Sequence, residues 1–151
     1  MIRTRLSREL KEAMKAKDQL RLSTLRLINA AIKDRDIAAR SEENTEGVSE
    51  AEIRDILAKM IKQRRDSAEA YDEAGRIELA EQERAEIKII QGFLPKPLSD
   101  QDVDKAIREA IAETGASSIR DMGRIMGVLK SRYAGQIDFG KAGQRVKAAL
   151  G

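Results

Sequence analysis

EIKIIQGFLPKPLSDQDVDKAI, residues 86–107, decides how the rest of the chain is read. Both prolines of the protein stand in its middle, FLPKPLS (93–99), directly after Gly92. Proline lacks the amide donor that a helix interior needs, and it pushes the residue before it towards extended backbone. A helix arriving through Ile87 and Ile90 must therefore stop here. Ser99 with Asp102 then opens another helix, since a hydroxyl at the N-cap accepts an N–H from the first turn. Val103, Ile107, Ala110 and Ile111 recur at helical spacing behind it. A stop, a stiff join and a fresh start read as a domain boundary, dividing the chain into 1–94 and 95–151.

Working back from the join, the periodicity stays helical. Residues 77–91 carry Leu79, Ile87 and Ile90, and Gly75 closes the helix before them. That helix, 50–74, has the stripe Ile53, Ile56, Leu57, Met60, Ala68 and Tyr71, and Ser49 with Glu52 reads as its capping box. Asp55 with Lys59, and Arg65 with Glu69, are i,i+4 pairs on its solvated flank. SEENTEGV (41–48) reads as a polar loop. Residues 19–40, capped by Asp18, carry Leu20, Leu22, Leu25, Leu27, Ile28, Ala31 and Ile32 round more than one stripe, which predicts a central helix. Residues 2–16 complete the set with Ile2, Leu6, Leu10, Ala13 and Met14.

Forward from the join, Gly115 ends the fifth helix, 100–114. Ser118 with Asp121 predicts a sixth over 119–133, ended by Gly135. Asp138 predicts the cap of a last helix carrying Phe139, Val146 and Leu150, interrupted by Gly140 and Gly143. No strand pattern survives. The predicted fold is all-α, an N-terminal four-helix domain followed by a C-terminal three-helix domain.

Composition narrows the chemistry. The 151 residues contain no Cys and no His, two Tyr, two Phe and no Trp. Disulfides, thiolate nucleophiles and thiolate metal sites are excluded. So are Ser-His-Asp and Cys-His catalysis. The low aromatic content argues against platforms on which single-stranded bases stack. No run of about 18 apolar residues predicts a membrane span. The N-terminus, MIRTRLSREL, lacks the apolar stretch of a signal peptide, and Glu9 and Glu12 argue against a transit peptide. The expectation is a soluble cytoplasmic protein.

The formal charge of +3 hides a pattern. Residues 1–40 hold 11 basic and 5 acidic groups, and residues 41–94 hold 8 and 14. Residues 95–119 hold 3 and 5, and residues 120–151 hold 7 and 2. Two basic ends flank an acidic middle, and a basic end is the footprint expected for phosphate or for acidic protein.

SIRDMGRIMGVLKSRYAGQIDFG (118–140) carries the most specific signal. Met122, Ile125, Met126, Leu129 and Tyr133 form a core stripe. Gly123, Gly127 and Lys130 share an adjacent face, with Arg120 one turn earlier and Arg124 beside them. Each mid-helix glycine costs roughly 1 kcal/mol relative to alanine. Two on one face imply that something approaches the backbone closely. The spacing alone favours another helix, and the basic rim points to a phosphate backbone.

LPKPLSDQDVDKAI, DMGRIMGVLK and the YAG–D turn of 133–138 resemble the tail domain of the B subunit of the tRNA-dependent glutamyl/aspartyl amidotransferase. LRLINAAIKDRDI, KQRRDSAEAYDEAGRIELAEQE and the EIKIIQGFLP join extend the resemblance to the YqeY family over essentially the whole chain. The resemblance implies a tail-like domain over 95–151. In the amidotransferase this domain contacts tRNA while the chemistry lies elsewhere. Matched by position, Arg124, Gly127, Lys130 and Gly135 take the places of the tail's basic and glycine residues.

The expected function is a non-catalytic accessory RNA-binding protein, for tRNA or another structured RNA. Its expected contacts are Arg120, Arg124, Lys130, Lys141, Arg145 and Lys147, with Gly123, Gly127 and Gly135 as close-approach glycines. Phosphate and shape would be read, and base identity would not. The alternatives are a carbon–nitrogen ligase with glutamine as amido donor, as the family label implies, and a protein-interaction adaptor. No catalytic residue, cofactor, metal or membrane is expected. Arg64, on the apolar stripe of the third helix, is expected to snorkel or to meet a carboxylate, and Arg26 invites the same reading. The cluster Asp72, Glu73, Glu78, Glu81, Glu83 and Glu86 lacks the spacing of a calcium loop.

Overall fold

The computed structural model describes residues 1–40 and 47–150. Most of the predicted loop 41–48 therefore lies outside the described residues. The elements are α1 (Ile2–Ala16), α2 (Gln19–Ala39), α3 (Glu50–Glu73), α4 (Ile77–Gln91), α5 (Asp100–Thr114), a 3-10 turn (Ile119–Asp121), α6 (Met122–Tyr133) and α7 (Phe139–Leu150). The fold is all-helical, with no strand among the described residues. Its backbone contacts divide into two compact units, Met1–Leu94 and Pro95–Gly151.

In the first unit, local chemistry sets most helix ends. Asp18 accepts from the Arg21 amide at 3.2 Å. Ser49 and Glu52 cap each other's backbone amides. Gly75, at φ 74°, turns the chain after α3 in a conformation that other residues resist. The start of α1 is different, because its N-cap, Met1, makes no side-chain cap hydrogen bond. The Glu50 carboxylate, from α3, accepts the Ile2 amide at 3.1 Å in its place.

The core of this unit is built on Leu6, Leu25, Ile28, Ile32, Ile53, Leu57, Ile90 and Phe93. α2 touches α1, α3 and α4, as a central helix should. It is not buried all round, however: Leu20, Leu27 and Ile37 are exposed. Three neighbours cover only part of the helix circumference, and a wide apolar sequence pattern exceeds what they shield. In α4 the expected inward Leu79 is exposed, and Ala80 is fully buried instead. Ala80 with Ile87 and Ile90 sets the inward phase of α4. Arg64 reaches Glu86 across α3 and α4 at 3.0 Å and the Met60 carbonyl at 3.2 Å, with only 14% and 13% of the two side chains exposed. Arg26 is exposed on α2.

In the second unit Ser99 accepts from the Asp102 amide at 3.2 Å, and Gly115 (φ 68°) ends α5. Ile107, Ala110, Ile125, Leu129, Ala142 and Val146 form the core. Two expectations fail here. The sixth helix begins later, at Met122, behind the 3-10 turn, and the Ser118 side chain makes no cap hydrogen bond. The Asp121 carboxylate points back to accept the Ser117 amide at 3.1 Å, which closes the turn in place of the predicted cap. α7 also runs unbroken through Gly140 and Gly143. Asp138 accepts from the Gly140 amide at 3.0 Å, and a Cβ at Gly143 would meet the Met122 Cε at 3.4 Å, an ordinary contact.

Candidate nucleic-acid interface

α6 is held by one face and offers another. Ile125 and Leu129 are wholly buried, and Met122, Met126 and Tyr133 pack against the same core. Gly123 and Gly127 lie on the outward side and are exposed. A Cβ added at either would meet nothing within 4 Å. The expectation that a helix of this chain fills the glycine face is therefore overturned among the described residues. What remains is a strip of bare helix backbone, its two glycines about 6 Å apart along the axis.

The strip forms the floor of an open concavity of about 440 Å³, lined by Gly123, Arg124, Gly127, Val128, Ser131 and Arg132. Arg124 is 62% exposed; it donates to the Thr114 carbonyl at 3.1 Å and stands 3.7 Å from Asp121. Those contacts are made by its two terminal nitrogens, while most of the side chain stays exposed. Arg132 forms a two-pronged pair with Glu113, at 3.1 and 2.5 Å. Hydrogen bonding to Arg132 holds the Glu113 carboxyl below its ordinary range and raises the guanidinium in turn, so both stay charged. Ser131 adds a hydroxyl. The concavity thus brings together two guanidinium groups, each already engaged by an acceptor of the chain, one hydroxyl and uncluttered backbone, and it contains no nucleophile–base pair.

The other sequence-predicted contacts scatter. Arg120, Lys141 and Lys147 are exposed and carry no ion pair among the described residues. Lys130 sits 6.0 Å from the centre of the Phe139 ring. Arg145 is engaged by Asp104 at 2.8 Å and Asp100 at 3.3 Å, and hydrogen bonding to Asp104 raises its pKa. Gly135 (φ 82°) shapes the turn after α6 and does not line the concavity. Ser131 and Arg132 also line the concavity, although composition and motif do not single them out. Their signal was the spacing: Ser131 continues Gly123 and Gly127 at i+8, and Arg132 follows Arg124 at i+8.

The acidic cluster resolves into separate contacts. Asp72 pairs with Arg84 and Glu86 with Arg64, and burial together with the nearby Glu86 raises the Glu83 carboxyl. Among the described residues no three acidic groups converge as a metal would need.

A family model described as Yqey-like protein matches residues 3–150. The chain belongs to the YqeY-like family. This YqeY-like chain is 34% identical over 115 residues to the Lachancea thermotolerans protein named Altered inheritance of mitochondria protein 41, mitochondrial, covering 75% of this chain and 59% of that one. The protein of the same name from Vanderwaltozyma polyspora is 32% identical over 123 residues, 78% of this chain and 64% of its own length. That from Saccharomyces cerevisiae strain YJM789 is 30% identical over 108 residues, 70% and 56%. The YqeY-like chain thus spans about three-fifths of the curated relatives it matches. Their names overturn the cytoplasmic expectation, since each relative is called mitochondrial. That expectation rested on missing apolar runs and on two glutamates near the N-terminus. Neither distinguishes one aqueous compartment from another, although no described helix is long and apolar enough to cross a membrane.

Proposed function

We propose that this YqeY-like protein is a non-catalytic accessory factor that binds structured RNA, tRNA in particular, through the outer face of α6. The observation that carries the reading is the open strip at Gly123 and Gly127, flanked by Arg124, Ser131 and Arg132. Two glycines in one solvated helix face lower helix stability by roughly 2 kcal/mol together, with no packing partner to require them. A sugar–phosphate backbone lying on the strip gives them a use. Bare backbone allows close approach, guanidinium groups meet phosphate oxygens, and the serine hydroxyl meets phosphate or ribose. Arg120, Lys141 and Lys147 are exposed cations of the same unit that add to its positive charge. Arg132 and Arg145 contribute less, because Glu113 engages one and two aspartates engage the other. The resemblance to the amidotransferase tail supports the same surface. We also read the two compact units as separately folding domains, four helices and then three. The ligase alternative has only the domain label behind it, for the concavity contains no general base.

The test is binding of a labelled tRNA transcript across a salt series. Arg124→Gln is expected to weaken binding severalfold and to flatten its salt dependence. Gly123→Ala/Gly127→Ala is expected to stabilise the fold by about 1–2 kcal/mol, from helix propensity, and yet to weaken binding. Loss of affinity in a more stable protein cannot be blamed on unfolding. Absence of binding at low salt, or unchanged affinity in both variants, sinks the reading. Recovery of one stoichiometric protein and no RNA would transfer the strip to a partner helix.

A further inference from the structure

The first unit carries a cationic surface that the α6 reading does not use. On α1, Arg8, Lys11 and Lys15 recur at i, i+3 and i+7 and are all exposed. Thr4 and Ser7 place hydroxyls at the N-terminal end of the same face. None of the three cations is ion-paired among the described residues, whereas Arg3, Arg5 and Arg21 are, with Asp36, Glu9 and Glu9 respectively. Glu9 is 12% exposed and turned inward between Arg5 and Arg21, so it does not offset the outer face. Glu12 stands at the edge of the stripe, exposed. Like charges at i,i+4, as at Lys11 and Lys15, destabilise a helix by a few tenths of a kcal/mol. The stripe is thus three cations without an ion pair among the described residues, with one carboxylate, Glu12, at its edge.

We propose that the Arg8–Lys11–Lys15 face of α1 is a second contact surface for the phosphate backbone of a nucleic acid. It shares its ligand class with the α6 reading but stands on different residues in a different unit. Arg8 to Lys15 spans about 10.5 Å at the helical rise. That length places three cations within reach of neighbouring phosphates of one strand, whose charges are closely spaced. A lipid surface is disfavoured by the way α1 is used. Its apolar side, Ile2, Leu6 and Ala13, is buried in the core of the unit and is not available to insert. What α1 shows to solvent is hydroxyls, cations and one flanking carboxylate, with Met14 as the apolar exception.

The experiment uses the full chain, a labelled tRNA transcript, and vesicles of phosphatidylcholine with 30% phosphatidylserine as a second probe. Arg8→Gln/Lys11→Gln/Lys15→Gln changes only exposed positions, and glutamine keeps helix propensity; circular dichroism checks the fold. The expected result is affinity for the transcript reduced about tenfold or more at low salt, with the slope of log K against log salt shallower by about 2–3. Unchanged affinity and slope overturn the proposal. So does a variant that loses vesicle binding while keeping the transcript. If only the Arg124→Gln variant loses the transcript, this proposal falls and the α6 reading stands; if only the α1 variant does, the reverse holds. A wild-type chain that fails to bind the transcript at low salt overturns both.

Discussion

Asp36 shows how much one carboxylate is asked to hold. It accepts from the Arg3 guanidinium at 2.6 and 2.8 Å and from the Val48 amide at 2.9 Å, tying α1, α2 and the entry to α3 together. A Cβ on neighbouring Gly47 would stand 2.6 Å from its Oδ1, so a side chain there would disturb the latch. Hydrogen bonding to Arg3 and to the Val48 backbone lowers its carboxyl to about 2 from the ordinary 3.8. A carboxylate depressed in the folded state stabilises it above the unfolded value, and that stabilisation is lost as pH falls through the folded value. Wild type is therefore expected to exceed Asp36→Asn in stability by about 1–2 kcal/mol at pH 7, allowing for the partial exposure of Arg3. The gap should close between about pH 4 and pH 2, read by urea unfolding across that range. A gap that does not change with pH would mean the latch does not depend on the charge of Asp36.

Between elements, the Arg64–Glu86 pair joins α3 to α4 where both side chains are mostly covered. Removing one partner strands the other, and breaking a buried pair in this way costs about 3–5 kcal/mol. Arg64→Ala is expected near the lower end of that range, because the pair keeps some exposure. Arg64→Met/Glu86→Leu is expected to recover most of the loss, since apolar replacements of both partners can be neutral or better. Urea midpoints of the two variants check this, and a double variant no better than the single one would count against it. This pair was legible in part. Helical spacing put Arg64 on the apolar stripe and so called for a partner, but not for Glu86, which arrives from another helix. The same boundary runs through the caps. Asp18, Ser49 and Ser99 act within a few residues of their own position and could be read directly. Ser118 looked equivalent and is not, because Asp121 turns back to Ser117. Leu79 looks inward by spacing, yet Ala80 faces the core, because packing against neighbouring helices sets the phase of α4.

On the scale of the molecule, the two core clusters share no residue. Ile125 is fully buried in the smaller cluster, and truncating such a side chain to alanine typically costs about 2–5 kcal/mol. A unit of this size has little stability in reserve. Ile125→Ala is expected to lose amide protection throughout α5–α7 in hydrogen exchange while α1–α4 keep theirs, and to lose whatever binding α6 carries. Loss of protection in both units together would show that they unfold as one.

The sequence by itself determined that the chain is helical, where most helices begin and end, its family, and the chemistry that lacking His and Cys denies it. These follow from periodicity, from caps that act within a turn, and from composition, all of them local or additive. Only the tertiary structure decided which charges remain free and which glycines remain uncovered. Arg145 and Arg124 look alike in sequence, yet two aspartates engage one, while the other keeps a single looser contact with Asp121 and is mostly exposed. Gly123 and Gly127 could have seated a helix of their own unit, and no described residue of that unit packs there. Neutralisation and exposure depend on what distant segments bring near a residue, and that is a property of the packed molecule.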